Sequence, residues 1–249
     1  MKWISLSLHL WKDNRKAQLA CATFFFVFTI LALAIDSIFF KQNYFDGRIL
    51  TTTLSGFYFL LFFLVASSNL RKLMFVMVFL SYIGELIFCN LFQMYHYRTN
   101  VIPLYVPLGH AIVYASGYVF AHSSWVVKND AVLRKMFFSF FALLFFCVFW
   151  FLNDVFSLIF GSLFFLLLKR KKWLNLYSCI AFCVIFIELT GTFFQCWTWV
   201  PKIFGSIPTV NPPMGAVFFY AGGDVLLVKI VSYWKKNKKH IKENELHLT

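Results

Sequence analysis

A chain of 249 residues that is 61% hydrophobic, 13% charged and +0.74 in mean hydropathy has too little polar surface to cover a water-soluble globule of its size. Its 35 Phe fall in apolar runs too long for core helices and too continuous for strand alternation, so lipid is the expected solvent and the bilayer the expected partner. The formal charge of +13 would point to nucleic acid in a soluble protein, but these Lys and Arg sit in short clusters between apolar runs, the pattern of cytoplasmic loops, and nucleic acid is excluded.

The opening segment, residues 1–18, is basic and carries Trp3, Leu6, Leu8, Leu10 and Trp11, which suits either an interfacial stretch along the headgroups or a frayed tail. The apolar run at 19–40 is longer than a signal-peptide core and lacks a small-residue cleavage site, so it reads as a retained first helix. Runs at 50–68, 73–97 and 103–122 complete a first group of four, residues 19–122. Runs at 136–153, 155–169, 173–199 and 213–234 form a second group, residues 136–234. Most lie near the ~20 residues that cross hydrocarbon. The stretch from Met136 to Leu168 is too long for one span, and a break at Asn153-Asp154 makes two short ones. Residues 235–249 form a basic tail able to touch anionic lipid headgroups, although its role in fixing topology accounts for the charge.

With both termini in the cytoplasm, all of the 23 Lys and Arg except Lys41, Arg48, Arg98 and Lys202 fall on the cytoplasmic side. The expected location is the cell membrane, the inner membrane for a bacterial source.

A repeat accompanies this count. Gln93-Met94-Tyr95-His96-Tyr97 closes the third run and Gln195-Cys196-Trp197-Thr198-Trp199 closes the seventh. The fourth opens with Pro107, Gly109, Tyr114, Ala115 and Gly117, and the eighth with Pro213, Gly215, Tyr220, Ala221 and Gly223 at a constant offset of 106. The expected fold is therefore all-α: a polytopic membrane protein of eight transmembrane helices in two parallel four-helix repeats, related by an axis along the membrane normal.

Glu85, Glu188 and Asp224 lie inside expected spans, with no Lys or Arg at the same depth. Each carries a penalty of ~2.5 to 3.5 kcal/mol near a helix centre, so they should face the protein interior as proton-linked or cation-binding groups, or as neutral helix-helix hydrogen bonders. Glu85 precedes Gln93 by eight residues and Glu188 precedes Gln195 by seven, which on regular helices differ by ~100°. Either one helix carries a local irregularity such as a π-bulge, or only one acid faces the axis, with Glu188 the more central. His110, whose repeat counterpart is Ala216, is a candidate base, relay or ligand, or an ordinary interfacial hydrogen bonder. Gln93, Gln195, Tyr97 and Trp199 are further candidates at the outer interface, against the plain reading of an aromatic belt, and Glu85, Glu188, His110, Gln93, Gln195 and Asp224 are expected in one outward-leaning cavity. Asn211, in the proline-rich connection before Pro213, is read as a helix cap, the loop being either a stiff connector or a rigid lid. Gly109, Gly117, Gly215, Gly222 and Gly223 are expected to allow close helix approach.

The six Cys lie almost wholly in apolar runs without disulfide or zinc spacing, so no metal site is expected. No HExxH, GxSxG or Walker motif is present, and the cofactor is unknown. Three function classes fit. The leading one is a secondary transporter or permease for a small solute, with carboxylates in the pathway. The second is a membrane-embedded enzyme acting on a lipid or isoprenoid by carboxylate acid-base chemistry, and the third a non-catalytic assembly subunit. Widely separated acids would favour transport; acids clustered with His110 and the Gln side chains in one closed, lipid-reachable pocket would favour chemistry.

Overall fold

The structure, a computed structural model, describes residues 15–99, 101–169 and 174–246. The expected interfacial lead-in through residue 14 lies outside the described residues. So do Arg170, Lys171 and Lys172 and the side chains of most of the basic tail.

The fold is all-α, with two short strand pairings. In chain order it comprises α1 (Arg15–Ile35), α2 (Ile38–Asn43), α3 (Arg48–Val65) and α4 (Ser68–Glu85), which continues as a π-helical turn over Leu86–Leu91. After β1 (Tyr95–Tyr97) come α5 (Tyr105–Ala121), α6 (Ser124–Lys128), α7 (Asp130–Leu152), α8 (Val155–Leu168) and α9 (Leu174–Phe193). Then β2 (Trp197–Trp199), β3 (Lys202–Ile203), β4 (Ile207–Pro208) and a 3-10 turn (Met214–Ala216) lead into α10 (Val217–Leu246).

Among the described residues, six helices are long and apolar enough to cross a membrane: α1, α3, α4 with its π turn, α7, α9 and the 3-10 turn with α10. Their outward faces are apolar, as Phe138, Leu143, Phe146, Trp150 and Phe151 on α7 illustrate, and a surface of this kind is matched to lipid. α8 is apolar but has 14 residues. α5 has 17 and is encased by α1, α3, α4 and α9, with most of its length buried. A helix surrounded by protein has no lipid-facing stripe to fill, which is why α5 tolerates Tyr, His, Ser and Gly along its length.

Serine and aspartate caps set several helix starts. Ser37, Ser67 and Ser123 accept from the backbone N–H of Phe40, Leu70 and Val126. The break between α7 and α8 falls at Asn153, which takes a left-handed conformation (φ 55°), and Asp154 then caps α8 by accepting from Ser157 N at 2.9 Å. Ser157 Oγ also donates to Asp154 and accepts from Gly215 N at 2.8 Å, tying this break to the start of α10.

The two aromatic motifs depart from expectation. They are not helix ends: α4 with its π turn stops at Leu91 and α9 at Phe193, and Tyr95–Tyr97 pairs antiparallel with Trp197–Trp199. Gln93 (φ 50°) and Gln195 (φ 57°) both take the left-handed conformation that turns the chain out of the helix. Beyond them the burial alternates, with Tyr95, Tyr97, Trp197 and Trp199 buried and His96 and Thr198 exposed. This is strand periodicity, and it was present in the sequence.

Candidate functional site

The ribbon places four aromatic side chains over the ends of α4 and α9. Glu85, the last residue of α4, accepts hydrogen bonds at Oε2 from Tyr95 Oη and Tyr97 Oη, both at 2.8 Å. Glu188 on α9 accepts at Oε2 from Trp197 Nε1 at 2.9 Å and Trp199 Nε1 at 3.1 Å. Each acid is thus held by two donors that follow it in its own half of the chain. The residue-count mismatch between the halves coincides with the π turn at Leu86–Leu91, which accommodates an extra residue after Glu85. Both acids are buried, and His110 pairs with Glu85, so the geometry does not single out Glu188 as the more central.

His110 Nε2 lies 2.9 Å from Glu85 Oε1, and its ring stacks on Tyr220 at a centroid distance of 5.0 Å and an interplanar angle of 13°. Glu188 is within electrostatic reach of both His110 and Glu85. Two carboxyls and one imidazole therefore share one charge environment, with phenol and indole donors fixing one oxygen of each acid. The clamp on Glu188 depends on Gly191: a Cβ there would lie 1.9 Å from the Trp197 ring, so a side chain would push the indole away. Gly191 and Tyr220 were not singled out from the sequence as site residues. The step of three from Glu188 to a glycine on one helix face was the available signal for the first.

Glu85, Glu188, His110, Tyr97 and Trp199 line a single cavity of about 420 Å³ whose walls are otherwise mostly apolar, drawn from α1, α3, α4, α5, α9 and α10. This lies within the size range of small-molecule sites. The other candidates lie elsewhere. Gln93 and Gln195 are exposed and do not line the cavity, because their left-handed backbones make them the pivots of the ribbon. Asp224 is buried on α10 and accepts from Tyr114 Oη at 2.7 Å; it does not itself line the cavity, although its neighbour Gly223 does. Asn211 does not cap the last helix; its Oδ1 accepts from Trp199 N at 3.0 Å, steadying the strand that carries one clamp on Glu188.

Beyond the ribbon sits an ionic cluster. Arg98 Nη2 donates to Asp36 at 2.6 Å and to Asp46 at 2.9 Å, and Tyr105 Oη donates to Asp36 at 2.6 Å. Arg98 N donates to the carbonyl of Cys196 at 2.9 Å, joining this cluster to the second strand. The Arg48 side chain donating to Asp46 holds that carboxyl well below the usual carboxylate range, and Arg98 adds to the effect. Arg48 and Arg98, two of the four basic residues expected on the outer side, are therefore paired with local acids.

No protein-family model, no curated protein and no solved structure matches this chain.

Proposed function

We propose that this chain is a membrane-embedded enzyme that moves a proton to or from a lipid or isoprenoid substrate, with Glu85, Glu188 and His110 as its acid-base groups. One observation carries the reading: the two acids and the imidazole converge in one mostly apolar cavity. A permease for a polar solute needs a hydrated path, and a mostly apolar wall disfavours such a solute at every step. For proton transfer to carbon in an apolar molecule, the same wall holds the substrate while a carboxyl, oriented by two donors, faces it. His110 bridges toward Glu85 and suits the role of redistributing the proton between turnovers.

The architecture that goes with this reading has eight spans, the six long helices together with α5 and α8, and both termini in the cytoplasm. Two parallel four-helix repeats generate it. The register Tyr95 with Trp199 and Tyr97 with Trp197 is the pairing that a two-fold axis between His96 and Thr198 would produce, given that Tyr95 and Trp197 are repeat equivalents. On this topology the ribbon and the Asp36, Arg98 and Asp46 cluster lie on the outer side.

The test is a comparison of lipids. Membranes holding the wild-type chain are incubated in D2O and their extracted lipids analysed by mass spectrometry, alongside membranes holding Glu85→Gln and Glu188→Gln. A lipid or isoprenoid species that gains carbon-bound deuterium or changes mass with the wild type and not with either variant is expected. Identical lipid profiles for all three proteins would reject the acid-base reading.

A further inference from the structure

Glycine inside a helix costs ~1 kcal/mol relative to alanine, so each one needs a reason. Gly117 and Gly215 have the usual one: a Cβ would lie 2.7 Å from Ile180 Cα and 2.8 Å from Ser157 Cα, so these helices meet because no side chain intervenes. Gly109, Gly222 and Gly223 do not. A Cβ on any of them meets nothing within 4 Å, and all three line the cavity. Their missing side chains make open space beside the acids rather than close packing.

The cavity also reaches the molecular surface. Ile83 and Ile87 beside Glu85, and Leu226 on α10, line it and are 53%, 37% and 48% exposed, on helices whose outward faces are apolar. Away from the ribbon it continues past Met77 and Leu80 and is backed by the buried Ile112 and Val113. From Glu85 to Met77 is eight residues of α4, a depth of ~12 Å at 1.5 Å per residue. One end is polar and the other is hydrocarbon-like. Among the described residues that line it, none is Lys or Arg, so an anionic headgroup would meet two carboxyls without a cation.

We propose that this cavity is a slot for the single hydrocarbon chain of a neutral amphiphile, an alcohol rather than a carboxylate or phosphate, entering sideways from the bilayer between α4 and α10. The proposal rests on the reading of Glu85, His110 and Glu188 as the reactive end and adds the substrate class to it. The chain lies along Gly109, Gly222 and Gly223, and the hydroxyl reaches the polar end, where it has both donors and acceptors to meet.

The experiment uses the full chain in phosphatidylcholine vesicles with two photoactivatable probes: a long-chain alcohol carrying a mid-chain diazirine, and the fatty acid of equal length. After irradiation, adducts are mapped by peptide mass spectrometry. The alcohol is expected to label Ile112 and Val113, which are buried and reached only from inside the cavity, and excess unlabelled alcohol should remove that label. The fatty acid should label them about tenfold less, a difference of ~1.4 kcal/mol. Gly222→Leu and Gly223→Leu should lower the label about tenfold by the same conversion. Gly56→Leu should not, since Gly56 also meets nothing within 4 Å yet lies outside the cavity lining. If the leucine variants fail to fold, Gly222→Ala and Gly223→Ala should each give a partial loss. Equal labelling by both probes, label restricted to outward-facing residues, or label unchanged in the glycine variants would overturn the slot. Adduct formation needs no turnover, so a slot that labels as expected in a protein that alters no lipid would reject the acid-base reading alone.

Discussion

Glu85 and Glu188 are gripped in the same manner from separate halves of the chain: each presents its Oε2 to two donors on alternate residues of a three-residue strand. The two strands are hydrogen-bonded to each other, so the acids are coupled mechanically as well as by charge. Removing one donor should therefore be felt at its own acid. Tyr97→Phe keeps the ring and deletes one O–H, and is expected to lower stability by ~1 kcal/mol. In a double-mutant cycle Tyr97→Phe should couple to Glu85→Gln by a comparable amount and to Glu188→Gln by much less, measured as shifts in thermal unfolding in detergent. Equal coupling to both acids would mean that the ribbon acts as one rigid block.

Gly191→Ala offers a second reading of the same clamp. The added methyl occupies the place of the Trp197 indole, so the expected outcome is loss of the Trp197 to Glu188 hydrogen bond. A change in tryptophan emission relative to wild type, with helix content unchanged by circular dichroism, is the measurement. Emission identical to wild type would mean that the helix end shifts instead.

The ionic cluster sets a pH limit on stability. Asp46 has its pKa depressed by Arg48 and Arg98, so its contribution is complete above the unfolded-state value of ~3.9 and is lost as pH falls below it. Wild type should lose stability as pH drops under ~4, and Asp46→Asn should lack that part of the dependence at the cost of lower stability at neutral pH. Asp36→Asn removes one partner of a buried pair, Arg98 being 4% and Asp36 1% exposed, and should cost ~3 to 5 kcal/mol. An Asp36→Asn protein as stable as wild type would show that Asp46 and the Cys196 carbonyl suffice to hold Arg98.

For topology, reporter fusions after Lys16, Lys72, Lys135, Lys172 and Lys239 are expected to report the cytoplasm, and those near Asp46, Thr99, Asp154 and Ser206 the far side. A cytoplasmic signal at Ser206 would remove the eight-span arrangement and the parallel repeat with it.

Much of this was legible in the residues because the bilayer simplifies the problem: a helix in lipid must be long and apolar, and that shows in hydropathy. The break at Asn153-Asp154 followed from length and the placement of the basic run after it, and a π turn was one of the two readings that counting residues between an acid and a glutamine left open. The ribbon was misread because Tyr-His-Tyr and Trp-Thr-Trp continue apolar runs, and periodicity over three residues is too short to outweigh them. The consequence spread to Gln93 and Gln195, which looked like pocket side chains while they sat on helices and became exposed pivots once the chain turned. Asn211 was misassigned for the same reason, since its partner Trp199 N is free only in an extended strand. Gly109, Gly222 and Gly223 show a different limit: a glycine that admits a neighbouring helix and one that leaves room for a ligand are identical in sequence, and only the atoms around the absent Cβ distinguish them.

On the proposed repeat, His110 is where the two halves part company, since its counterpart there is Ala216. The pairing with Glu85 at 2.9 Å and the stacking on Tyr220 belong to one half only, which makes Glu85 and Glu188 chemically unequal despite their matched clamps. His110→Ala replaces the imidazole with the residue that the other half already carries, so the helix should tolerate it. The side chain is 19% exposed and borders open cavity, and its removal should shift thermal stability by less than ~2 kcal/mol. Positioned acid-base groups contribute ~10²- to 10⁴-fold to a rate, so on the proposed function turnover of a lipid or isoprenoid should fall by at least the lower figure. Labelling of the hydrocarbon slot by the alcohol probe should persist, because the chain-binding wall is intact. Full turnover in His110→Ala would leave the imidazole as a packing and hydrogen-bonding partner of Glu85 and confine the proton chemistry to the two carboxyls.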